Sequence, residues 1–262
     1  MRSSWMATIA IVSLLAGGSE SPAQTSPTEI TIYAAASLRD ALQAVKGACE
    51  GSTGARLTYN FGASSDLARQ IMAANKADVF FSADEHWMDR VAEAGLIEAA
   101  SRRSLLSNQL AVIGPAEGGP SVGSAAELAR AGVRRLALAN PEAVPAGKYA
   151  KAWLESAGVW AAVQGRVVPV LDVRAALSAV EAAAADAAVV YRTDAEISKK
   201  VRVLYLVPEA EGPQISYPVA VLRHRPRVDL ARKVVVWLSG RGAASAFERY
   251  GFIVKPPPPS PQ

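Results

Sequence analysis

Apolar and polar positions along this chain alternate between two periods, and each change of period marks an element. Ile30 to Tyr33 reads as a short buried strand that runs through three small residues into a helix. The inward face of that helix is Leu38, Ala41, Leu42 and Val45, the i, i+3, i+4, i+7 spacing of an amphipathic helix. Ser37 stands just before the first periodic residue, which is the N-cap position. A strand ending in small residues before a Ser-started helix presents backbone N–H groups without partners, which suits an anion.

The same device recurs. Leu57 to Phe61 reads as a strand, 62–66 as a turn, and Leu67, Ile71 and Met72 as one helix face. Ala77 to Ser82 is the next strand, and Glu85 to Gly95 a helix closed by glycine. Leu110 to Ile113 is a strand ended by Gly114 and Pro115, and Ser124 to Ala131 a short helix. Leu136 to Ala139 is a strand; a loop through Pro141 and Pro145 leads to a helix at Tyr149 to Leu154. Val167 to Leu171 leads through Asp172, as a cap, into a helix with Ala176, Leu177 and Val180 inward. Strands follow at Ala187 to Tyr191, Arg202 to Val207 and Val219 to Leu222, and helices at Leu230 to Ser239 and Ala243 to Tyr250 close the chain. Strands alternating with helices predict an α/β fold with largely parallel sheets.

Composition adds limits. Residues 1–23 have one early positive charge, Arg2, an apolar run from Met6 to Ala16 and small residues around Pro22, so they read as a cleavable signal peptide. No cysteine follows that run, so no lipid anchor is expected there. Its loss removes Arg2 and Glu20, one charge of each sign, and leaves the net charge at +4. The basic residues are scattered, which does not describe a nucleic-acid surface. Cys49 is the only cysteine, so no intramolecular disulfide forms, and it reads as half-buried and inert. About 240 residues remain, enough for one large or two small domains. Residues 255–262 are proline-rich and are expected to be an extended, disordered tail.

Enzyme signatures such as a P-loop, H-E-x-x-H or C-x-x-C are missing from the sequence. Five turns instead share one character. They lie at Ser37, at Ser64 and Ser65, at Pro145 to Gly147, at Asp172 and Val173, and at Tyr191. Each sits at the carboxyl end of a predicted strand, where open α/β sheets gather ligands. Any one of them alone is ordinary capping. Together they point to an anion-binding cleft.

Ala34-Ala-Ala-Ser-Leu38, Phe61-Gly-Ala-Ser-Ser65 with Leu67-Ala-Arg-Gln-Ile71, and Asp78-Val-Phe-Phe-Ser-Ala-Asp84 resemble segments of the periplasmic molybdate-binding proteins of ABC importers. The likeness continues through 140–150, Asp172-Val-Arg174, Val189-Val-Tyr191, Tyr217-Pro-Val-Ala220 and Arg249-Tyr-Gly-Phe252. It runs in order from about Ile30 to Val254. The resemblance implies a two-lobed periplasmic binding protein fold, each lobe a mostly parallel sheet flanked by helices, with ligand in the cleft between them. Residues 28–107 and 217–254 would form one lobe and 108–216 the other, with crossings near Ser107-Asn108 and Ser216-Tyr217.

It also implies the contacts. Ser37 and Ser64 would each donate through hydroxyl and backbone N–H, Ala146 and Val173 through the backbone N–H, and Tyr191 through its hydroxyl. Asp66 and Lys148 depart from the pattern and are expected to point away from the cleft. The implied function is that of a monomeric, periplasmic receptor, not an enzyme. It would capture molybdate or tungstate without cofactor, cation ligand or nucleic acid, and deliver it to a membrane permease. A receptor for another tetrahedral oxyanion such as sulfate is the alternative. An exported hydrolase or transferase built on the Ser37 turn is a further one, which lacks a placed base.

Overall fold

The computed structural model describes residues 28–130 and 132–256. The expected signal peptide and the tail beyond Pro256 lie outside the described residues. In chain order the elements are β1 (Thr28–Ala35), α1 (Arg39–Thr53), β2 (Ala55–Gly62), α2 (Ser64–Ala74), β3 (Val79–Phe81), α3 (Glu85–Glu93) and β4 (Arg103–Ser107). Then come β5 (Leu110–Pro115), α4 (Ala125–Arg130), β6 (Leu136–Ala139), α5 (Pro145–Ser156), α6 (Trp160–Val163), β7 (Val167–Val170), α7 (Val173–Glu181) and β8 (Ala187–Tyr191). The chain closes with α8 (Arg192–Glu196), β9 (Val201–Leu206), β10 (Tyr217–Val221), α9 (Val228–Leu238), α10 (Arg241–Arg249) and β11 (Ile253–Val254).

The strands form two sheets, in the orders β11-β4-β10-β3-β1-β2 and β7-β6-β8-β5-β9. The chain leaves the first sheet between Ser107 and Leu110 and returns between Leu206 and Tyr217. Two α/β lobes result, joined by these two passages. Within the first sheet, strand alternation sends neighbouring residues to opposite faces. Val79 and Phe81 of β3 and Val219 and Val221 of β10 join the larger core, while Phe80, Ala220 and Leu222 pack on the other face with Leu67, Ile71, Met88 and Val91 of α2 and α3. Both faces are covered there, so β3 and β10 read as continuous apolar runs.

The expectation of mostly parallel sheets is corrected. β1 pairs in parallel with β2 and β3, and β6 with β7 and β8. β10 is antiparallel to β3 and β4, β11 to β4, and β5 to β8 and β9. Parallel neighbours need a covering crossover, usually a helix, to bring the chain back in the same direction. β5 and β10, the strands entered from the two passages, have none on their own lobe, and each runs opposite to its neighbours.

Several elements differ from the sequence pattern. β4 carries Arg103 and Ser104 and β11 has only two residues, so neither shows a period. Helix α5 begins at Pro145 and not at Tyr149, because proline fits the first helical position, where its missing N–H costs nothing. Lys255, read as part of the tail, donates its N–H to Leu105 O at 2.8 Å and extends the sheet edge. Cys49 is fully buried rather than half-buried, and burial pushes its thiol up to about 11. No helix among the described residues is long and apolar enough to cross a membrane.

Candidate functional site

Ser37, Ser64, Ala146, Val173 and Tyr191 line one small cavity between the lobes. Ser37 and Ser64 come from the first lobe, and the other three from the second. Each is at most 4% exposed, so a ligand held there would be cut off from solvent. The local structure explains what each presents. Ser64 and Val173 are the first residues of α2 and α7, and Ala146 follows Pro145 at the start of α5. First-turn N–H groups have no carbonyl one turn back to bond, so three helices aim free donors and the positive ends of their dipoles at one place.

The hydroxyls are arranged as donors too. Ser64 Oγ accepts the N–H of Ala83 at 2.9 Å, which leaves its own hydrogen to give. Ser37 Oγ lies 3.2 Å from Tyr217 Oη. Tyr191 Oη is buried and has no hydrogen-bond partner among the described residues. Burial raises the Tyr191 hydroxyl well above its ordinary range, so it keeps its proton and can only be neutral. Among the described residues neither serine has an imidazole or carboxylate partner for its hydroxyl.

Ser37 corrects one expectation. It does not cap α1; it sits in a 3₁₀ turn, Ala36–Leu38, which makes no side-chain cap bond. The turn separates Ser37 from the N–H groups of α1 and directs its hydroxyl to Tyr217 instead. Asp172 does cap its helix, accepting the N–H of Ala175 at 2.9 Å, and is the one charged residue on the cavity wall. Asp66 is turned to Arg69 on the surface, and neither it nor Lys148 reaches the wall. No group of three or more metal-ligating side chains occurs among the described residues.

A family model for bacterial extracellular solute-binding proteins matches residues 30–253. The chain belongs to this family. It is 38% identical over 233 residues to the molybdate-binding protein ModA of Escherichia coli, covering 87% of this chain and 90% of that protein. The solved substrate-binding domain of a putative molybdenum ABC transporter from Clostridium difficile superposes with a TM-score of 0.68 at 30% identity, over 87% of this chain and all of that one (100%). The periplasmic molybdate-binding protein of Azotobacter vinelandii superposes with a TM-score of 0.77 at 22% identity, with coverages of 87% and 100%, a likeness of fold.

In a two-lobed solute-binding protein, the groups that bridge the cleft decide how it shuts. Trp87 of α3 donates its indole N–H to Ala143 O, on the other lobe, at 2.8 Å. Arg174 of α7 reaches across to Asp40 of α1 at 2.6 Å and to Ser37 O at 3.4 Å. Its Nε also lies 2.6 Å from Asp194, which is fully buried and whose other oxygen accepts the N–H of Tyr191 at 3.3 Å. Burial raises the Asp194 carboxyl to about 6, against the pull of Arg174. Sequence reasoning gave none of Trp87, Arg174, Asp194, Asn108 or Tyr217 a role. Arg174 and Tyr217 lie inside segments that carried the family resemblance, and Asn108 and Tyr217 stand at the expected crossings; nothing else in the sequence marked them.

Proposed function

We propose that this protein is an exported, monomeric receptor that captures molybdate, and tungstate with it, for the permease of an ABC importer. The observation that carries this reading is the convergence of five neutral donors on one buried cavity, with the Tyr191 hydroxyl lacking any partner among the described residues. Ser37, Ser64, Ala146, Val173 and Tyr191 are its ligand-binding residues. The family and the molybdate-binding relatives support the choice of ion. The two lobes are the moving parts, residues 28–107 with 217–254 against 108–216, and the first 23 residues are its export signal.

The chemistry follows from what a fully deprotonated tetrahedral oxyanion is. It only accepts hydrogen bonds, so it needs donors on every side, and hydroxyls and first-turn N–H groups supply them. Bonds to an ionised partner contribute about 1.5–3 kcal/mol each, and each helix terminus adds about 0.3–1. Roughly half a dozen such bonds offset the desolvation of a dianion and the cost of association. Neutral donors also avoid burying a permanent cation when the cleft is open.

Calorimetric titration with molybdate, tungstate, sulfate and phosphate at fixed ionic strength tests the reading. Helix termini and strand ends are stiff and cannot all contract around a smaller ion. Sulfate therefore leaves donors buried and unpaired at about 1–3 kcal/mol each, and two of them weaken it by roughly two to four decades. Tungstate, of nearly the same size as molybdate, binds close to it. Sulfate binding as tightly as molybdate would make this a sulfate receptor. Turnover of a phosphate or acyl ester that Ser37→Ala abolishes would make it an enzyme.

A further inference from the structure

Behind Ser37 a chain of side-chain hydrogen bonds leads away from the cavity to the place where the backbone changes lobes. Asn108, between β4 and β5, is buried, and its Oδ1 accepts the N–H of Gln109 at 2.9 Å. That backbone donor fixes which way round the amide sits, so Nδ2 must point the other way. Nδ2 donates to Thr193 Oγ1 at 2.9 Å and to Tyr217 Oη at 3.3 Å. Tyr217, the first residue of β10, is fully buried, and its Oη lies 3.2 Å from Ser37 Oγ. Tyr217 therefore accepts from Asn108 and has one hydrogen left, for which Ser37 Oγ is the acceptor at hand. The reverse order, with Ser37 donating to Tyr217, would strand the tyrosine hydrogen in the interior, and an unmade buried bond is costly. With Tyr217 donating, the Ser37 hydrogen is the one left over, and it faces the cavity.

We propose that Asn108 and Tyr217 are positioning residues of the oxyanion site. They order the hydrogens in one direction, from the inter-lobe passage to Ser37, so that Ser37 meets its ligand as a donor. This rests on the reading of the cavity as an oxyanion site. It deepens that reading by coupling the first lobe's serine to the passage about which the lobes turn. The Tyr217 ring adds a second tie: its centroid is 5.8 Å from that of Tyr191, the donor contributed by the other lobe. An arrangement of this kind makes donor geometry depend on how the passage is set, since Asn108 touches Thr193 on one lobe and Tyr217 on the other.

A double-mutant cycle with molybdate tests it. Tyr217→Phe keeps the ring on Phe252 and Tyr191 and removes only the hydroxyl. It should weaken molybdate binding about three- to tenfold, the worth of one neutral hydrogen bond. In a Ser37→Ala background the same substitution should change affinity less than about twofold, because nothing remains to be oriented. A purely structural role would lower affinity equally in both backgrounds. Asn108→Ala, run in a parallel cycle, should show the same coupling at a smaller size and decides the matter if Tyr217→Phe does not fold. Folded variants that bind like the parent, or that lose affinity equally with and without the Ser37 hydroxyl, would overturn the proposal. A parent protein that fails to bind molybdate at all would instead remove the reading of the cavity.

Discussion

Tyr191 and Ser64 offer the same group to the cavity, yet substitutions at the two should behave differently. The Tyr191 hydroxyl is buried with no partner among the described residues, so Tyr191→Phe removes a donor for the ligand and relieves an unmet one. Binding of molybdate should fall by one to two decades, about 1.5–3 kcal/mol, while the unfolding temperature of the ligand-free protein stays level or rises. Ser64→Ala should lower both, because Ala83 N–H loses its acceptor as the ligand loses a donor. Calorimetry and thermal unfolding on the two variants check this, and affinity unchanged from the parent in both would remove them from the site. Asp194 carries a pH dependence. Its folded value of about 6 stands above the ordinary 3.8, so the folded state holds that proton more tightly than the unfolded chain does. The stability it contributes is complete below the unfolded value and lost as pH rises through the folded one. Denaturation of the parent and of Asp194→Asn should therefore show the parent losing ground to the variant between about pH 4 and pH 6. Parallel curves would mean that Asp194 is ionised throughout.

At the scale of elements, the position of α5 matters more than any side chain it presents. A Cβ placed on Gly147 would lie 1.9 Å from Ala139 O and 2.7 Å from Asn140 O, so the start of α5 rests directly on the end of β6. Gly147→Ala must push the helix off the strand, and with it the N–H of Ala146. The expected result is a loss of about 1–3 kcal/mol in stability, as for overpacking, together with weaker ligand binding. Denaturant unfolding and titration of the variant read the two effects. Unchanged values in both would show that the helix can shift without cost. The other two helix starts are less exposed to such a change: α2 follows Ala63 in extended conformation, and α7 is held by the Asp172 cap.

For the whole molecule, the contacts that cross the cleft set the balance between open and shut. Asp40→Asn removes one of them and leaves Arg174 its buried partner Asp194, so it is the cleaner change. The Asp40–Arg174 pair is partly exposed, and such pairs contribute about 0.2–1 kcal/mol. Affinity should fall by less than about tenfold, mainly through faster release. The donors come from both lobes, so saturating molybdate should draw the lobes together and reduce the radius of gyration in small-angle scattering. An equal radius with and without ligand would describe a rigid, preformed pocket.

The strand-to-helix turns were legible in the sequence because they are local. Small residues at a strand end and an aspartate cap act within a few positions of each other, and a single chain segment shows them. For the same reason the alternation of periods was enough for the α/β class and for most of the elements. The antiparallel pairings within each sheet were not legible. Strand direction there depends on how the chain passes between lobes, which no period records. Nor could spacing show that Ser37 faces Tyr217 and not the N-terminus of its own helix, for the two residues are 180 positions apart. The donors belong to local turns and can be read locally. Their convergence, the burial of the Tyr191 hydroxyl and the direction given to the Ser37 hydrogen exist only once the two lobes are packed, because each depends on groups that the sequence holds far apart.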